Sequence, residues 1–437
     1  MRKVRPLSFK RITVAIMVSI LGLCFTTSPI GARESGDILR AGTAKIDITP
    51  KKPVKMAGYG SRTGLSEGVH DPLSARVVAF ENDSQRLLLV STDLLGFYDG
   101  TAEYLRKAIL DEFKLKPGEL FVSAIHTHSG PSLTIDKKKG HLNNLQYTKS
   151  LKDKLIKVIR TALNNMGSVR VGAGVGHSPV GANRRELIFD KSGNSSIRLG
   201  RNPYGPTDKE VLVMKVSKPD GTTIAALFDY ATHATSLGAK NYIISGDVLG
   251  LAEQFVEKIL GGDVIAPAFA GASGNIDPWF RVLPGFNTEP GWIPEPVLLA
   301  TMLGEEVVHV YRDIGKVSGG GEIRTAFATL QLPGKSRDEA AVKKDHPPTP
   351  LNITVGRLGD IAFVGIGCEV LTEIGMAIKA ASPCKHTFVI THCNGAAGYL
   401  APEHLHLEAG YEIRSSPFAP QAADMVIKQA VKMLHAL

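Results

Sequence analysis

The feature that most constrains the fold is a repeated pattern, a short apolar, β-branched run ending in a residue able to do chemistry. Leu87 to Ser91 leads into Thr92-Asp93, Leu120 to Ile125 into His126-Thr127-His128, and Ile224 to Ala231 into Thr232-His233. Ile361 to Ile366 leads into Gly367-Cys368-Glu369, and Thr387 to Ile390 into Thr391-His392-Cys393-Asn394-Gly395. Each run reads as a buried strand with polar residues just beyond its C-terminal end. Between them, helical spacing marks Ala102 to Phe113, Tyr147 to Met166, Val248 to Leu260, Val297 to Tyr311 and Pro420 to Leu437. Strands alternating with helices predict an α/β fold, with mixed β-sheets flanked by helices and ligand-binding or catalytic groups at the C-terminal ends of strands. Asp190 to Pro206 and Pro284 to Pro296 read as loops, either substrate rims or plain surface segments.

The first residues form a separate unit. Arg2, Lys3, Arg5, Lys10 and Arg11 precede a nearly unbroken apolar stretch from Ile12 to Cys24, and Phe25 to Ala32 is small and polar. Residues 1–32 read as a secretory signal peptide, with an uncleaved anchor as the competitor, since the apolar core is short for a span of about 20 residues. Residues 33–437 then form one exported domain, periplasmic or secreted, with no stable membrane span. Without the leader the formal charge falls from +9 to +4. No Lys/Arg run is interleaved with aromatics, which argues against nucleic acid as a partner. Cys368, Cys384 and Cys393 remain, so at most one disulfide forms within the domain.

His126-Thr127-His128 follows a strand, where positions i and i+2 share a face, so both imidazoles reach one site. An isolated H-x-H is a weak signal. Its context resembles the neutral/alkaline non-lysosomal ceramidases, in their N-terminal catalytic domain. The resemblance runs from Ala41-Gly42-Thr43-Ala44-Lys45-Ile46-Asp47-Ile48-Thr49-Pro50 through Met56-Ala57-Gly58-Tyr59-Gly60 and Gly68-Val69-His70-Asp71 to His126-Thr127-His128-Ser129-Gly130-Pro131. It continues at Asn183-Arg184, His233-Ala234-Thr235-Ser236, Ser245-Gly246-Asp247, Gly367-Cys368-Glu369, Ala397-Gly398-Tyr399 and Tyr411.

The resemblance implies a Zn2+ enzyme that hydrolyses an amide, with ceramide or another N-acylated amine as substrate. It implies zinc ligation by His126, His233, Glu369 and Tyr399. His128, Arg184 and Tyr411 would face the reacting carbonyl or its tetrahedral intermediate. Two imidazoles and a carboxylate are ordinary catalytic zinc ligands, and a phenol is an uncommon fourth. Asp93, Asp247 and His70 match as residues that orient the ligands or serve structure. Each residue alone also has a plain reading: His233 as a satisfied core histidine, Glu369 as a helix N-terminal acid, and the tyrosines as packing aromatics.

Two departures bear on the substrate. Ceramidases carry a Gly-Asp-x-Ser-Pro segment where this chain reads Gly274-Asn275-Ile276-Asp277-Pro278. Asp277 in the serine's place is either a general base, a holder of a substrate amine, or a turn residue. The sequence also ends at Leu437, without the immunoglobulin-like module of full-length ceramidases, which points towards more soluble substrates. The competing readings are an exported binding protein on the same fold and an amidohydrolase-type metal hydrolase.

Overall fold

The apolar runs fold as strands of three sheets, and each sheet is antiparallel except for one parallel pair at its edge. The computed structural model describes residues 38–82, 85–279, 295–335 and 347–437. The leader and residues 284–294 of the Pro-rich stretch lie outside the described residues. The first sheet orders Leu120–Ala124, Arg86–Thr92, Ser74–Glu81, Arg40–Asp47 and Gly167–Ser168, with the first two parallel. The second orders Ala268–Ala270, Thr223–Tyr230, Glu210–Ser217 and Arg170–His177, again with the first two parallel. The third orders Ile323–Leu332, Thr349–Leu358, Ile361–Ile366 and His386–Ile390, with the last two parallel.

The chemistry-bearing runs are the strands of these parallel pairs, so their C-terminal ends point the same way within each sheet. An aromatic seam joins the three sheets. Phe363 stacks on Phe388 at 5.0 Å, Phe121 meets Phe363 at 6.4 Å, and Phe269 meets Phe388 at 6.2 Å between ring centroids. Polar stitches lie just beyond it. Asn394 accepts from Val122 N at 3.1 Å and donates to Leu120 O at 2.6 Å, while Thr391 N donates to Ala270 O at 2.9 Å. These bonds satisfy backbone groups that burial would otherwise leave without partners.

Helices cover the outer faces. Leu142–Asn164 buries Tyr147, Leu151, Leu155, Val158, Ile159 and Ala162, a three-and-four spacing that packs on the first sheet. Its approach needs Gly42, where a Cβ would stand 2.0 Å from Ala162 O. The other helices of ten or more residues among the described residues are Thr101–Phe113, Asp247–Leu260, Glu295–Asp313, Thr372–Ala381 and Ala422–Ala436. Among the described residues no helix is long and apolar enough to cross a membrane. Cys368, Cys384 and Cys393 are buried free thiols.

One loop reading is corrected. Within Asp190 to Pro206, Ser195–Asn202 is a strand, hairpinned on Gly181–Phe189. Its residues are exposed or half-buried throughout, so the sequence shows no alternation to betray it.

Asp229 is a buried carboxyl behind the second sheet. Its Oδ2 accepts from Val389 N at 3.2 Å, and its Oδ1 has no partner. Burial raises its pKa from 3.8 to about 7, against the opposing pull of Lys379. The folded state therefore binds this proton more tightly than the unfolded chain, and stability is lost as pH rises through that window. Denaturant titrations should show the wild type losing stability relative to Asp229→Asn between about pH 4 and about pH 7. Parallel pH profiles would contradict this.

Candidate metal centre

His126 stands two residues past the end of the strand Leu120–Ala124, in a left-handed conformation with φ 63°. The two histidines of the H-x-H pair therefore meet through a kinked backbone and not through strand alternation. The kink is pinned by backbone bonds from Thr127 N to Leu94 O and from His128 N to Ala234 O. Non-glycine residues held in this region commonly mark functional sites.

Backbone carbonyls set the tautomers of the two buried ligand candidates. His126 Nδ1 donates to Leu95 O at 2.6 Å, and His233 Nδ1 to Ser273 O at 2.8 Å and Ile276 O at 3.0 Å. With the proton on Nδ1, each neutral ring turns an Nε2 lone pair inward. Burial, and then the charge of Arg184, push the His233 pKa down to about 3, which keeps that ring neutral.

Glu369 completes the convergence. It opens the short strand Glu369–Val370, paired in register with Tyr399–Leu400. Its Oε2 lies 3.5 Å from His126 Nε2 and 3.6 Å from His233 Nε2, and has no hydrogen-bond partner. Its Oε1 accepts from Tyr98 Oη at 3.1 Å. Burial would raise this carboxyl, but the adjacent His126, His233 and His392 rings outweigh it and hold the pKa well below the usual range.

Such a set fits a metal ion. Ligand bonds of about 2.0–2.2 Å give tetrahedron edges of roughly 3.3–3.6 Å, and the two separations above match. His128 Nε2 also lies 3.2 Å from His126 Nε2. Two overlapping groups keep their ligand atoms within 4.8 Å of one another, namely His126, His128 and His233, and His126, Glu369 and His392. Among these, His392 was not singled out from the sequence. It follows the strand His386–Ile390, also adopts a left-handed conformation with φ 51°, and stacks on His126 at 3.8 Å and 12°. Its position just past a strand end was the available signal.

Arg184 bounds the centre on another side. Its Nη1 lies 3.2 Å from His233 Nε2 and 3.2 Å from Asp277 Oδ1. Its Nη2 donates to Tyr399 Oη at 3.2 Å and its Nε to Glu412 Oε1 at 2.8 Å. Asp277 is fully buried, and its Oδ2 accepts from Arg201 at 3.4 Å. Tyr411 is 40% exposed, with its ring 5.6 Å from that of Tyr399. His126, His128, Glu369, Tyr399 and Tyr411 all line one cleft of about 410 Å³. A larger cavity, about 920 Å³ beside Thr43, Lys218 and Tyr311, holds no histidine.

Asp93, Asp247 and His70 each have close partners. Asp93 accepts from Ser74 N at 2.6 Å and pairs with the fully buried Arg76. Asp247 receives the backbone amides of Ser236 and Leu237, each at 3.2 Å. His70 pairs with Asp71 at 2.7 Å.

Residues 39–275 match the family described as neutral/alkaline non-lysosomal ceramidase, N-terminal. Glu369, His392, Tyr399 and Tyr411 lie beyond that match. The neutral ceramidase of Mycobacterium tuberculosis is 30% identical over 264 residues, covering 55% of this chain and 40% of its own length. Neutral ceramidase 1 of Arabidopsis thaliana is 26% identical over 230 residues, covering 49% and 28%. The chain thus spans well under half the length of these curated relatives. The crystal structure of neutral ceramidase from Pseudomonas aeruginosa superposes with a TM-score of 0.73 at 20% identity, over 92% of this chain and 74% of that one. That likeness is one of fold.

Gly58 sets the wall behind His128. It has φ 96°, and a Cβ there would stand 2.5 Å from His128 Nδ1. Gly58→Ala should cost about 1–3 kcal/mol of stability through overpacking and strain, read from denaturant midpoints. An unchanged midpoint would contradict the contact.

Proposed function

Since the chain belongs to the neutral/alkaline non-lysosomal ceramidase family, we propose that it hydrolyses the amide bond of an N-acylated amine, with a zinc ion held by His126, His233 and Glu369. The observation that carries this reading is the convergence of two Nε2 lone pairs and an unpartnered carboxylate oxygen, at 3.5 and 3.6 Å, beside a cleft that His126 and Glu369 line. Tyr399 or His128 is the fourth ligand. Bound there, zinc supplies Lewis acidity and lowers the pKa of water to about 7.

The chain's own residues do the rest. Arg184 keeps its charge because burial is outweighed by Tyr399 and Glu412. Its guanidinium beside His233 and the Tyr411 phenol at the cleft stabilise negative charge building on the carbonyl oxygen. His128, pushed well below its usual pKa by burial and by His126 and His233, is neutral. Where it is not a ligand, it passes a proton between the attacking water and the leaving amine. Asp277, tied to both Arg184 and Arg201, holds Arg184 in place in this reading, in preference to acting as a base. The nominal substrate is ceramide or another N-acyl lipid, and a soluble acylated amine fits the same chemistry. The leader marks residues 33–437 for export, to the periplasm or outside the cell.

Elemental analysis of the purified protein should find about one zinc per chain, lost in His126→Ala and in Glu369→Ala. Arg184→Met should keep zinc and lower kcat on a responsive N-acyl amide by about 10²–10³. A folded wild type that takes up no zinc after addition and dialysis would overturn the reading.

A further inference from the structure

Arg184 and Arg185 are consecutive on the strand Gly181–Phe189. Neighbours on a strand point to opposite faces, yet both side chains reach one carboxylate. Arg184 Nε donates to Glu412 Oε1 at 2.8 Å, and Arg185 Nη1 to Glu412 Oε2 at 2.9 Å. The reason is local. The pairing with Ser195–Asn202 shifts register between Asn183 and Arg185, and such a bulge re-aims side chains.

Glu412 is completely buried and lies one residue after Tyr411, in the short helix Tyr411–Ser415. Arg185 extends the contact to the preceding turn, donating to Ala409 O at 2.8 Å and to Glu408 at 3.2 Å. With its Nε held, Arg184 has one orientation left, and in it the two Nη groups face His233, Asp277 and Tyr399. Tyr411 precedes Glu412 in the chain, and its ring centroid lies 5.8 Å from the Arg184 Cζ. A buried charge cluster is a poor source of stability, because desolvation offsets the attraction. It is a good source of fixed geometry.

We propose that Glu412 is the positioning residue of this site. Clamped between Arg184 and Arg185, it holds the Arg184 guanidinium in register with the histidine cluster. This rests on the amide-hydrolase reading for its purpose, though not for its geometry.

The test is a double-mutant cycle on the zinc-loaded full chain, with a chromogenic N-acyl amide. Glu412→Gln should lower kcat roughly tenfold to hundredfold, with KM and zinc content within about twofold of wild type. In an Arg184→Met background the same change should cost less than about twofold, because the residue it acts through is gone. A kcat near wild type, or a loss that persists without Arg184, would overturn the proposal. If Glu412→Gln does not fold, Arg185→Met opens the clamp from its other side and should show the same split and the same dependence on Arg184. If the wild type cleaves no N-acyl amide, the hydrolase reading fails by that result alone. The clamp is then judged by the Arg184 Nε–H resonance of arginine-labelled protein. Slow exchange in wild type that is lost in Glu412→Gln supports it, and exchange that is unchanged overturns it.

Discussion

The site depends on hydrogen bonds from two imidazoles to main-chain carbonyls. Leu95 O takes the Nδ1 proton of His126, and Ser273 O and Ile276 O share that of His233. Each bond decides a tautomer, and the tautomer decides which nitrogen offers its lone pair to the cleft. Because the acceptors are backbone, they move only if the loops after the strands move. The three sheets exist, in this sense, to hold three loops. Phe121, Phe269, Phe363 and Phe388 lock the sheets together a few residues before His126, Gly271 and His392, so small errors in strand position have little room to grow at the centre.

Electrostatics explains why the arginine beside the histidines needs so many partners. Arg184 is buried beside neutral His233, and an unpaired guanidinium there would be prohibitive. Asp277 and Glu412 neutralise it from two sides, and Tyr399 accepts from its remaining edge. Asp277 pairs with Arg201 as well. Asp277 thus sits within a network of arginines. The parallel stacking of His392 on His126 limits how far the His126 ring can tilt, which keeps its Nε2 aligned with Glu369.

Much of this was legible because strand ends are legible. The runs before His126, His233 and Glu369 are mostly apolar, and burial on both faces leaves such a pattern in any sequence. The helices from 102, 248 and 297 onward show their buried stripe equally well. The hairpin strand Ser195–Asn202 was hidden because neither of its faces is buried. Tyr98 and Glu412 were hidden for another reason. They reach Glu369 and Arg184 across 271 and 228 positions of sequence, and no local pattern encodes a partner that distant. His392 had a local signal, the end of an apolar run, but it shared a polar segment with four other residues.

The central claim is that two histidines and one glutamate hold a single zinc ion through His126 Nε2, His233 Nε2 and Glu369 Oε2. Anomalous diffraction at the zinc edge, from crystals of the zinc-loaded protein, tests it most directly. The account predicts one strong peak at about 2.0–2.2 Å from His126 Nε2, His233 Nε2 and Glu369 Oε2. A peak bound through Nδ1 of either histidine, or one that leaves Glu369 uncoordinated, would contradict it.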